Sequence, residues 1–194
     1  MAKPLFFLLG CLLTFSSAGV AQVVFGLKGG PGYADVVALE KGKDSKTGRL
    51  AYQAGMLVKK QLQERVGLQA ELLYSNKGQE GYFVHALGIP LLVCYRPLEL
   101  LELEAGLNPS YNLLSTDDNS SNIRSMQAQA VDIALLAGTR YFISNRLGLN
   151  TRLGWGLLNA LESVQYVGEN NSLVRVEKSG LRHASIMLSL EYYF

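Results

Sequence analysis

Apolar and polar positions alternate with a period of two along most of the chain, and the alternation is cleanest at its end. Ala184, Ile186, Leu188, Leu190, Tyr192 and Phe194 fall on one face of an extended segment, with Ser185, Ser189 and Glu191 on the other. The same rhythm, punctuated by turn residues, predicts eight strands near 23–34, 49–60, 66–75, 82–95, 98–114, 128–143, 147–161 and 182–194. In the fifth, Leu101, Leu103, Ala105 and Leu107 oppose Glu102, Glu104, Gly106 and Asn108. A slip of one residue would turn both carboxylates into apolar surroundings, so this register is strongly specified. The third sets Val66, Leu68, Ala70, Leu72 and Tyr74 against Gly67, Gln69 and Glu71. In the sixth, Val131, Ile133, Leu135 and Tyr141 oppose Asp132, Gly138 and Arg140. The seventh sets Leu147, Leu149, Leu153, Trp155 and Leu157 against Gly148, Asn150, Arg152, Gly154 and Gly156.

The connections alternate in length. Gln63-Glu64-Arg65, Arg96-Pro97 and Ser144-Asn145-Arg146 are tight turns, whereas 35–48, 76–81, 115–127 and 162–181 are mostly longer and polar. Short turns on one side and long loops on the other describe an outer-membrane β-barrel with periplasmic turns and extracellular loops. An even strand count returns both ends to the periplasm. A secreted, soluble β-barrel binding a small ligand would alternate equally well, but with apolar side chains inward. Glycines on the polar face, the loop asymmetry and the terminal Phe194 favour the membrane reading.

The N-terminus agrees with export. Lys3 precedes the apolar run Leu5 to Phe15, and Gly19-Val20-Ala21 is a small-x-small cleavage site. The expected organisation is a signal peptide over 1–21 and one barrel domain over 22–194. Leu8-Leu9-Gly10-Cys11 resembles a lipoprotein box, but cutting there would leave an apolar tail on the mature chain. The mature 173 residues would carry 17 basic and 16 acidic side chains, with no strong field to attract nucleic acid. Cys94 becomes the single cysteine, so no intrachain disulfide can form. No later apolar run approaches a spanning helix, so a membrane fate must be a barrel.

Several blocks resemble the PorT-type outer-membrane β-barrel domain family of Bacteroidota. They are Phe25-Gly26-Leu27-Lys28-Gly29-Gly30, the run Leu68 to Gly78, Leu87-Gly88-Ile89-Pro90-Leu91-Leu92-Val93, Leu103-Glu104-Ala105-Gly106 and Leu190-Glu191-Tyr192-Tyr193-Phe194. Their order covers nearly all of the mature chain. The resemblance implies an eight-stranded barrel in the outer membrane, inserted by the barrel assembly machinery, which reads the last strand. One member of that family is linked to protein secretion, so secretion-system components are implied as possible partners. The family has no motif of catalytic residues to carry over.

The inward face holds the largest polar feature. By parity, Lys28, Lys59, Arg140 and Arg152 meet Glu71, Glu102, Glu104, Asp132 and Glu191. An eight-stranded barrel is just wide enough to be filled by side chains, so these charges are expected to pair as a plug rather than line a pore. His183 and Ser185 share the lumenal face at the outer end of the last strand, the arrangement a lipid A deacylase-like hydrolase would need. No glutamate at matching spacing completes them, and a lumenal pair would not meet an acyl chain in the bilayer. His85 stands alone, Cys94 has no ligand partner at metal spacing, and Asp117-Asp118-Asn119 lacks the rest of a calcium loop. Gly26-x-Lys28-Gly29-Gly30 lacks the order of a phosphate loop. Asn119-Ser120-Ser121 and Asn170-Asn171-Ser172 match glycosylation acceptors by composition alone.

The expected function is therefore non-enzymatic: an integral outer-membrane barrel with a structural, secretion-associated or surface-interaction role. No catalytic residue, cofactor or metal site is assigned. The alternatives are the lipid-modifying hydrolase and the soluble ligand-binding barrel. The long loops carry few aromatics beyond Tyr33 and Tyr166 at their edges, which argues against a high-affinity protein hot spot there.

Overall fold

The computed structural model describes residues 23–38, 48–79, 82–117, 124–128, 130–158, 161–166, 173–178 and 181–194. The expected signal segment over 1–21 and Gln22 lie outside these residues. The strands are β1 (Val23–Ala38), β2 (Arg49–Gln61), β3 (Val66–Gln79), β4 (Tyr82–Gly88), β5 (Leu91–Leu98) and β6 (Leu101–Asp117). They continue as β7 (Arg124–Ala128), β8 (Val131–Phe142), β9 (Leu147–Gly156), β10 (Leu161–Tyr166), β11 (Leu173–Lys178) and β12 (Leu181–Tyr193). Antiparallel pairing runs from β1 through β2 and β3 to β4 and β5, then through β6, β8, β9 and β12 back to β1. The sheet closes on itself with eight staves.

Closure is made by the two ends of the chain. Gly26 pairs with Tyr193, Lys28 with Glu191 and Ala38 with Leu181, and the Phe194 amide donates to the Phe25 carbonyl at 3.0 Å. Gly30 and Gly106 face so close to the neighbouring carbonyls of Leu188 and Leu91 that a Cβ would collide with backbone. Glycine is required there by approach, not by turn geometry.

One stave is interrupted. The expected strand over 82–95 divides into β4 and β5 at Ile89-Pro90, because Pro90 has no N–H to give the ladder. Backbone groups at the break remain satisfied: the Glu71 amide donates to the Pro90 carbonyl and the Ile89 amide donates to the Pro109 carbonyl. Other boundaries also move. β1, β3 and β6 continue to Ala38, Gln79 and Asp117, into segments expected to be loops. The expected strand over 128–143 begins at Val131, and the one over 147–161 ends at Gly156. β7, β10 and β11 form a separate antiparallel sheet in the segments assigned to the loops over 115–127 and 162–181. β7 is held by pairing with β10, far along the chain, which a local period does not register.

The radial polarity is inverted relative to a soluble protein. Leu107, Leu135, Leu153, Leu188 and Leu190 are each about half exposed on the outer wall, while Arg140, Asn150 and Glu191 are fully buried inside. The soluble alternative requires the opposite arrangement and is overturned by this one. Aromatic side chains ring both ends of the wall: Tyr33, Tyr52, Tyr74, Tyr111 and Trp155 at one, Phe25, Tyr95, Tyr141, Tyr192 and Phe194 at the other. Trp155 pairs with Ala184, eight positions along β12 from Tyr192. At about 3.3 Å per residue and a tilt near 40°, that separation is roughly 20 Å, close to the apolar band of a membrane barrel.

Candidate functional site

The lumen collects every inward charge that parity predicts, and the structure divides them into layers. At the centre, Glu71, Glu104 and Glu191 converge, with carboxylate oxygens all within 4.8 Å of one another. Three cations from other strands separate them. Lys28 contacts Glu191 at 2.8 Å and Glu71 at 3.6 Å. Arg152 grips Glu71 in a two-pronged contact, Nη1 to Oε2 at 2.7 Å and Nη2 to Oε1 at 2.8 Å, and its Nε donates to Glu104 at 2.5 Å. Arg140 bonds Glu191 and donates to Glu104 at 2.9 Å. The positions a metal ion would occupy among the three carboxylates are taken by the protein's own cations. Three positive and three negative groups make the layer neutral, which is what burial demands.

Neutral side chains complete it. Asn150 accepts from Lys28 at 2.8 Å, Gln69 donates to Glu71 at 2.5 Å and Tyr193 donates to Glu191 at 2.5 Å. The Gln53 amide donates to Ser189 at 2.9 Å. Cys94 is buried and reaches only a long contact of 4.0 Å with Gln69, so it serves as a small packing residue.

Toward the short turns, Glu102 receives Lys59, Arg140 and Arg96, the last at 3.2 Å. The Arg96 guanidinium lies over the Phe142 ring at 4.5 Å. These groups floor an open cup of about 330 Å³ also lined by Val24 and Tyr193. At the opposite end, Lys77 meets Asp132 at 3.3 Å. Arg96 and Lys77 were not among the expected lumenal charges, since one sat in an assigned turn and the other in an assigned loop. Their parity was available: Arg96 is two residues beyond Cys94, and Lys77 continues the odd-numbered face of Gln69 and Glu71.

His183 and Ser185 both face the lumen, as their parity requires, and both line a cavity in its outer half. They do not form a nucleophile–base contact: neither ring nitrogen of His183 has a hydrogen-bond partner. The cavity, of about 60 Å³, lies between Gln53, Asn108, Lys77 and Arg152. His85 is elsewhere, on the outer wall, where it meets the Tyr74 hydroxyl and stacks on its ring at 5.8 Å. Asn119 and Asn170, with their acceptor motifs, and Asp118 lie outside the described residues.

The family described as "Outer membrane protein beta-barrel domain" matches residues 16–162 of the chain. Comparison with curated proteins finds no match. Among solved structures, the chain is similar to Neisserial surface protein A, with a TM-score of 0.56 at 11% identity over 88% of this chain and 97% of that one. It is similar to Ail, the attachment invasion locus protein of Yersinia pestis, crystallised with the heparin analogue sucrose octasulfate. That match has a TM-score of 0.54 at 10% identity over 89% of this chain and 99% of the other. Outer membrane protein OprG from Pseudomonas aeruginosa gives 0.52 at 14% identity over 91% and 98%. At these identities the likeness concerns the fold.

Proposed function

The chain belongs to the outer membrane protein beta-barrel domain family, and on that premise we propose that it is a plugged, non-catalytic barrel acting through its surfaces. The observation that carries this reading is the lumen. Lys28, Arg140 and Arg152 interlock with Glu71, Glu104 and Glu191 across its full width, and Lys59 and Arg96 close on Glu102 beneath them. Displacing such a layer would separate buried charges, each worth several kcal/mol. A diffusing solute has no route through it, so the barrel's role falls to what it presents on either side of the membrane.

Outside, the strands continue into the paired segments β7, β10 and β11, which give an adhesion or assembly partner an ordered backbone to meet. Inside, the periplasmic cup offers Arg96 and Phe142 to components on that side. The five PorT-like blocks fall in β1, β3, the β4–β5 stave, β6 and β12, and support assignment to the PorT-type branch with a secretion-associated role. Partners then include outer-membrane lipids, the assembly machinery and secretion components. The lack of a Ser185–His183 contact supports the non-enzymatic reading.

The test is electrical and biochemical together. Purified barrel in a planar bilayer should show no stable large conductance, and cross-linking in native outer membranes should recover specific proteins. Long-lived openings of porin size would refute the plug.

A further inference from the structure

The lumenal charges do not balance at the short-turn end. Among the described residues, the cations Lys28, Lys59, Arg96, Arg140 and Arg152 form one connected network with the carboxylates Glu71, Glu102, Glu104 and Glu191. The central layer is neutral, so the surplus cation falls where Lys59 and Arg96 share Glu102. Both oxygens of that carboxylate are taken: Oε1 meets Lys59 and Arg140, and Oε2 meets Lys59 and Arg96. A surplus charge at the mouth of a low-dielectric lumen favours a counter-charge brought from outside.

The surplus lies at an opening. Lys59 and Arg96 line the cup of about 330 Å³, with Phe142 and Val24 as its apolar surface. Arg96 bonds Glu102 through Nε at 3.3 Å and Nη2 at 3.2 Å, so its Nη1 edge is not spent there, and its side chain is 34% exposed. The Phe142 ring, 4.5 Å from the guanidinium and itself packed on Tyr193 at 6.0 Å, fixes the plane of that fork. Glu64 also lines the cup, but Lys59 and Arg96 pair with Glu102 and neither pairs with Glu64, which is exposed on its turn.

The cup is a dead end, floored by Glu102 and its cations and walled from lipid by the strands. A lipid headgroup meets the outer wall instead. A guanidinium fork beside apolar surface suits a residue that carries a carboxylate and an apolar side chain together, which is the carboxyl end of a peptide chain. We propose that the cup binds such an end, with Arg96 and Lys59 taking the carboxylate and Phe142 and Val24 the last side chain. This rests on reading the cup as a contact surface. Conductance tests the plug and peptide titration tests only the cup, so either can fail alone.

The test uses the mature barrel refolded in deuterated detergent at low ionic strength. Acetyl-Gly-Gly-Leu with a free carboxyl is titrated against its carboxyl amide, acetyl-Gly-Glu-Gly-amide and inorganic phosphate, and binding is read from broadening of the ligand signals. The free acid should bind saturably and the other three at least tenfold more weakly. Arg96→Gln should weaken the acid by roughly tenfold to 100-fold, the loss of one charge-assisted hydrogen bond. Glu64→Gln should tighten it about threefold by removing an exposed like charge, and Lys77→Gln, at the opposite end, should leave it unchanged. In the native barrel, the Nε–H signal of Arg96 should shift on binding. Heat-modifiable migration verifies that each variant is folded. The assignment is overturned by equal binding of acid and amide, by phosphate or the glutamate peptide binding as well as the acid, or by binding that survives Arg96→Gln. Binding that appears only in Glu64→Gln would also overturn it, because Glu64 would then be the counter-charge.

Discussion

Arg152→Met isolates what charge pairing contributes to the barrel. The substitution keeps an apolar stem and deletes the guanidinium that holds Glu71 at 2.7 and 2.8 Å and Glu104 at 2.5 Å. Glu104 retains Arg140 at 2.9 Å, but Glu71 is left with Gln69 and the 3.6 Å contact to Lys28. Three central carboxylates then face two cations in a lumen surrounded by hydrocarbon. Breaking one partner from a buried pair costs about 3–5 kcal/mol. With a urea slope of about 2 kcal/mol/M, the unfolding midpoint should fall by roughly 1.5–2.5 M. Glu71→Leu should cost a similar amount, because it leaves Arg152 with Glu104 alone. The double variant removes both charges and returns the layer to Lys28 and Arg140 against Glu104 and Glu191. It should therefore recover most of the loss, leaving about 1 kcal/mol for the acceptor taken from Gln69. Trp155, the single tryptophan, faces outward and reports insertion by fluorescence in lipid vesicles during the titration. Simple addition of the two single costs would refute the balanced-layer account.

Deleting Phe194 removes the aromatic that ends β12 and whose amide bonds the Phe25 carbonyl, so insertion should fall and periplasmic degradation rise, read by fractionation and immunoblot. Leu188→Arg places a charge on the lipid face and should destabilise by about 2–4 kcal/mol if near the midplane, whereas Leu188→Ile should be close to neutral in the same urea assay. The double substitution His183→Ala, Ser185→Ala should leave lipid A mass spectra identical to those from cells with the native protein. Loss of a modification that depends on both residues would overturn the non-catalytic reading, because a serine nucleophile and its base act as a unit.

Eight staves, their two faces and most of the lumenal charges are legible in the alternation alone. A period of two is a local property, and near-unbroken alternation in β3, β6, β9 and β12 separates the two faces with no knowledge of neighbours. Glu102 and Glu104 could only point away from lipid, and they do. Alternation alone left the sign of the wall open, and the exposed leucines around a buried Arg140 settled it. The tertiary structure also decided what depends on contacts between distant segments. The extensions to Ala38 and Asp117 pair with β12 and β4, and β7 pairs with β10, all far away in the chain, whereas β3 runs on to Gln79 by pairing with the adjacent β4. Arg96 and Lys77 carried the right parity but lay in a turn and a loop by local composition; only the closed ring brought them to Glu102 and Asp132. Which cation meets which carboxylate follows from the stagger between strands, a property of the closed barrel that no single strand contains.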